Sequence, residues 1–144
     1  MSSGVKHFSV TYLWLVACMA LMVACSSREA LRSMERAEQL LEDAPEEALR
    51  VMEGVDGEAL RTEEDRARYA LVYSEACYYS YIDIDADTLT QPMMCYYLES
   101  DNHAERARAM FQHAVVAYNG GELAEAIVAL TEAEESLAKR ANRK

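Results

Sequence analysis

Ala107-Arg108-Ala109-Met110-Phe111-Gln112-His113-Ala114-Val115-Val116-Ala117-Tyr118-Asn119-Gly120-Gly121-Glu122-Leu123-Ala124-Glu125-Ala126 is one continuous stretch of the chain. Its apolar residues Ala107, Met110, Phe111, Ala114 and Tyr118 recur at three and four positions, the period of one helix face. Asn102-x-x-Glu105 stands just upstream as a capping pattern, and Gly120-Gly121 makes a tight turn. A second helix then runs from Glu122 to about Lys139, with Leu123, Ala126, Ile127, Leu130, Ala133 and Leu137 expected to face inward. Lys139 and Arg140 sit at its end, where the helix dipole favours positive charge. The stretch therefore reads as a helical hairpin.

Upstream, the same signals recur. Ser26-x-x-Glu29 opens a helix with Ala30, Met34, Ala37 and Leu41 on one face. Asp43-x-x-Glu46 opens the next, with Pro45 in the first turn, where its missing N–H costs nothing. Thr62-x-x-Asp65 opens a long third helix with the stripe Ala67, Ala70, Leu71, Ser74, Cys77, Tyr78 and Tyr81. Asp87-x-x-Thr90 opens a fourth with Leu89, Met93, Tyr96 and Tyr97; Pro92 lies one residue too deep for that cap and implies a later start or a bend. Short connections make consecutive helices antiparallel neighbours. The expected fold is all-α: three antiparallel hairpins, at about 27–53, 62–99 and 103–140, stacked as a solenoid after an N-terminal export signal.

That signal occupies residues 1–24. One lysine precedes an uncharged run from Val10 to Cys25, short for a membrane span of about 20 residues. Leu21-Met22-Val23-Ala24-Cys25 resembles the bacterial lipoprotein signal, in which a small residue precedes a cysteine that is acylated and becomes the new N-terminus. Met22 departs from the usual Leu, and Leu15-Val16-Ala17-Cys18 fits the short pattern slightly better, but acylation there would leave the apolar stub Met19 to Ala24 between lipid and body. An uncleaved signal anchor is the remaining alternative. Cys25 is followed by Ser26-Ser27, a polar exit into water. The resemblance implies a body, residues 25–144, lipid-anchored at Cys25 in the bacterial cell envelope, with the outer membrane favoured. Two or three acyl chains at about 0.8 kcal/mol per buried CH₂ make such an anchor effectively permanent.

The formal charge of the chain is −11, and removing Lys6 with the signal leaves −12. Nucleic acid is thereby excluded as a partner, since phosphate binding needs the opposite sign. A basic or neutral protein or peptide is favoured.

The last hairpin resembles a tetratricopeptide repeat, a helix-turn-helix unit of about 34 residues. Met110 and Ala114 take packing positions of its first helix, Gly121 the turn, and Leu123, Ala126, Leu130 and Ala133 those of its second. Departures are His113 where Leu is usual, Ala117 where Tyr is usual, and no closing proline. Asp43-Ala44-Pro45-Glu46-Glu47-Ala48-Leu49 is a weaker echo. Across nearly the whole body the chain is similar to tetratricopeptide-repeat lipoproteins of bacteria, as a short or truncated member. These are packing motifs and imply no chemistry.

Residue clusters add little chemistry. Asp83, Asp85 and Asp87 alternate like a calcium loop, but Thr88 and Met94 stand where that loop needs Gly and Glu. His103 and His113 lie about 15 Å apart along one helix, too far to share a metal; His113 is expected to pack against the preceding hairpin. Cys77 and Cys95 stand at similar heights in the second hairpin, open either to a disulfide or to two buried thiols. Tyrosines cluster, and Tyr73, Tyr79 and Tyr97 are the expected partner contacts. No catalytic set, cofactor loop or metal spacing is found, so the expectation is a non-enzymatic, protein- or peptide-binding scaffold. The alternatives are a sensor fragment of a signalling protein lacking its output domain, and a lipoprotein that binds a small molecule or glycan.

Overall fold

The computed structural model describes residues 27–84 and 87–141, so the signal, Cys18, Cys25, the Ser26 cap and Asp85 lie outside the described residues. Every element among the described residues is helical, and no strand occurs. α1 spans 27–40, α2 Pro45–Glu53, α3 Glu63–Tyr79, α4 Asp87–Tyr97, α5 His103–Asn119 and α6 Leu123–Ala141, with one 3₁₀ turn at Gly57–Ala59.

Local chemistry sets most of these boundaries. Thr62 and Asp65 form a reciprocal capping box at the start of α3: the Asp65 N–H donates to Thr62 Oγ1 and the Thr62 N–H to Asp65 Oδ2. Asn102 accepts from the Ala104 and Glu105 N–H groups at the start of α5. The start of α2 differs from expectation. Ala44, not Asp43, is its cap residue and makes no side-chain bond; Pro45 at the first position enforces the helical φ instead. α4 likewise begins at Asp87 and runs through Pro92, which lies on the exposed side.

Two apolar clusters share α3. Ala30, Met34, Ala37 and Leu41 pack with Ala48, Leu49 and Met52 of α2 and with Val72, Ala76 and Cys77 of α3. On its other side, Ala67, Ala70 and Leu71 pack with Met93 and Tyr97 of α4 and Ala109 of α5. α3 is therefore buried on two faces, which explains why its sequence lacks one clean apolar stripe.

Parallel helices α1, α3 and α5 are tied by a repeated ion pair. Arg68 of α3 donates through Nε and Nη2 to both oxygens of Glu38 on α1, at 3.2 and 2.7 Å. Arg108 of α5 makes the same fork to Glu75 of α3, its Nε at 2.8 Å from Oε1. Arg68 and Arg108 are each the sixth residue of a 17-residue helix, and the two helices begin forty positions apart. At the position of Glu75 in that frame, α5 carries Val115. The chain of forks stops there.

Candidate functional site

α6 packs on α5 through small side chains. Its buried residues are Ala126, Ala129, Ala133 and Ser136, facing a helix that itself offers Ala107, Ala114 and Ala117. Small residues on both sides let two backbones approach closely. The consequence is a correction to the sequence expectation for this hairpin: Leu123, Ile127, Leu130 and Leu137 are exposed, Ile127 at 65%, although they had been placed inward. Met110, Ala114, Ala126 and Ala133 are buried, and Gly121 turns the chain at φ 85.

The exposed large residues are not scattered. Leu123, Ile127 and Leu130, with Tyr78, Tyr81 and Ile82 at the end of α3 and Phe111, Val115 and Tyr118 on α5, line one apolar groove of about 620 Å³. α5 forms its floor, α3 and the segment after it one wall, and α6 the other. Asn119 Nδ2 reaches Asp83 Oδ1 and the Ile84 carbonyl, both at 3.4 Å, and joins the floor to the first wall. Tyr78 and Phe111 meet edge to face, ring centres 5.3 Å apart. Few polar groups interrupt the surface. Ser74, 1% exposed, lies at the base with an Oγ that has no hydrogen-bond partner among the described residues, and buried Gln112 lines the groove beside it. Asp83 is the charged residue of the lining.

Tyr81 occupies a conformation that side chains avoid, φ 58. The Ile82 N–H donates to the Cys77 carbonyl at 2.9 Å and the Tyr81 N–H to Tyr78, closing the end of α3 as a Schellman motif. Gly121 ends α5 in the same way, with Glu122 N–H to the Ala117 carbonyl. Tyr81 thus stands where glycine is favoured and projects its ring, 97% exposed, at the groove's edge.

The tyrosines expected to make contacts fall elsewhere. Tyr97 is buried in the α3–α4–α5 cluster at 3% exposure, because Met93 and Tyr97, one turn apart, are the pair that α4 turns toward α3. Burial also holds its phenol well above the usual tyrosine range. Tyr73 packs beside Tyr69 against the α1–α3 cluster. Tyr79 is exposed, on a separate depression with Glu38, Glu42 and Arg108. The expected stripes had put Tyr78, Tyr81 and Tyr118 inside; all three open into the groove. A signal was available: on α6 the alanines at 126, 129 and 133 form a narrow stripe beside a second, bulkier one.

Cys77 and Cys95 are both free and are not brought together. Cys77 is in the α1–α3 core, and Cys95 is exposed beside Pro92 and Tyr96. Burial pushes the Cys77 thiol up to about 11. His113 faces α6 rather than the preceding hairpin, its Nε2 3.1 Å from Glu125 Oε1. No group of three metal-binding side chains occurs among the described residues, and no described helix is long and apolar enough to cross a membrane.

A scan against protein-family models, a search of curated proteins and a search of solved structures each return no match.

Proposed function

We propose that this chain is a lipid-anchored helical-hairpin protein that holds another protein at the bacterial cell envelope, using the α3–α5–α6 groove as its docking site. The observation that carries the reading is the groove itself. Large apolar side chains on three helices stay in water around one concavity, and a contiguous patch of that kind marks an interaction site on a soluble body. The anchor would be Cys25, and the first described residue of α1 is two positions after it. The groove is lined by α3, α5 and α6 and by no described residue of α1, so membrane attachment and partner would sit at different places on the body.

The finer architecture we infer is a short tetratricopeptide-like solenoid. The repeated Arg–Glu fork between parallel α1, α3 and α5 supports it. The forty-residue interval between α3 and α5, and the exposure of Leu123 and Leu130, are departures from the usual unit. We read the site as binding without catalysis, because the Ser74 hydroxyl has no base within hydrogen-bond reach. A small apolar molecule is a second reading, since the groove's volume lies within the usual range for such sites. A glycan fits poorly, because sugars need a denser set of polar partners than Ser74, Gln112, Asp83 and Asn119 supply.

Crosslinking and affinity recovery of the full protein from its own envelope test the reading, with Ile127→Asp and Tyr79→Ala compared. Partner recovery falls in the first and persists in the second. Equal recovery in both removes the groove from the account. Labelled palmitate incorporates into the wild type and not into Cys25→Ala; incorporation that survives this substitution moves the anchor elsewhere.

A further inference from the structure

The groove's shape and the charge around it identify the class of its occupant. We propose that it takes a basic amphipathic helix from another protein, an inference that rests on the groove being a protein-docking site.

Shape points to a helix. Leu123, Ile127 and Leu130 line the groove as a seam at four- and three-residue steps along α6, about 10 Å at 1.5 Å per residue, and exposed Leu137 continues the same helix face two turns on. Such a seam is what one helix offers to the i, i+3, i+4 and i+7 anchors of another. α5 lies below it and Tyr78 lines the groove from α3.

Charge sets the sign of the partner. No Lys or Arg occurs between Arg68 and Arg106, or between Arg108 and Lys139, the two stretches that supply the groove. Arg108 itself is engaged by Glu75. On the groove's side, Glu122 precedes α6 and Glu134 follows Leu130 one turn on, with Asp83 in the lining; Glu125 and Glu135 are engaged by His113 and Lys139. An occupant with Lys or Arg flanking its apolar face meets this rim favourably. A second copy would set two acidic rims against each other. An acyl chain would leave the Ser74 hydroxyl without a partner, whereas a peptide side chain or carbonyl can meet it.

The test uses the full chain in nanodiscs of zwitterionic lipid, with empty nanodiscs subtracted. Two labelled 18-residue helical probes share one leucine face; one is flanked by lysines and its twin by glutamates. Anisotropy should give the lysine probe a Kd at least tenfold below that of its twin, weakened by salt. Ile127→Asp and Val128→Asp add the same charge, but Val128 lies outside the groove. Groove docking requires at least a tenfold loss in the first and no loss in the second. Retained or tighter binding in Ile127→Asp means diffuse attraction and overturns the proposal. Tighter binding of the glutamate twin, displacement of the lysine probe by palmitate, or a dimer abolished by Ile127→Asp also overturns it. If these probes fail while envelope recovery still depends on Ile127, the partner class is wrong and the docking reading stands. If both fail, the docking reading goes too.

Discussion

Tyr81 sits at φ 58, where a Cβ meets the following carbonyl and glycine does not. Its ring is in solvent, so replacing it removes no core contact. Tyr81→Gly is therefore expected to raise the unfolding free energy by about 1 kcal/mol in urea titrations, while weakening the lysine probe several-fold. A stability gain with unchanged binding would mean the ring has no part in the groove. Cys77 carries a pH dependence of definite sign. Its thiol titrates at about 11 in the folded chain, against 9.0 ordinarily, so between those values the native state keeps a proton that the unfolded state has lost. Stability is flat below pH 9 on this account and falls as pH rises toward 11, by about 2–3 kcal/mol from this one group. Tyr97 acts in the same direction above pH 10. Urea midpoints at pH 8 and 10.5 should show the fall, and Cys77→Ala should flatten part of it.

At the scale of elements, α6 separates two kinds of apolar residue that a helical wheel treats alike. Alanines make the contact with α5, and the leucines and Ile127 flank it. Ala133→Leu forces the two backbones apart and is expected to cost about 2 kcal/mol. Ile127→Gln changes a side chain already in water and should stay within about 0.5 kcal/mol. Thermal melts of the two variants check the ordering; a larger loss from Ile127→Gln would place the bulky stripe inside.

Over the whole molecule, the two Arg–Glu forks hold successive parallel helices in register but differ in burial. Arg68 and Glu38 are each rather more than a quarter exposed, whereas the Glu75 side chain is 8% exposed beneath Arg108. Removing Arg108 leaves a carboxylate stranded between helices, so Arg108→Ala is expected to cost about 3 kcal/mol. Arg68→Ala should cost about 1 kcal/mol. Adding Glu75→Gln to Arg108→Ala should recover part of the loss, because the stranded charge is then gone. Equal costs for the two arginines would show that burial does not distinguish the forks.

What the chain's own order of residues determined was local. Thr62 with Asp65, Asn102 with its following amides, and Gly121 at its turn define helix ends through groups a few positions apart, so those ends could be read without a neighbour in view. The all-helical body followed from the same period of three and four. Faces were another matter. α6 has two adjacent apolar stripes, and which one is buried depends on how near α5 lets it come, a distance set by alanines on both helices. Tyr97 and Tyr118 differ for the same reason: one happens to lie where α3 covers it, the other where nothing described does. Only tertiary packing decides which apolar surface is used up in holding the helices together and which is left to meet a partner, because burial belongs to pairs of surfaces and a sequence specifies them singly.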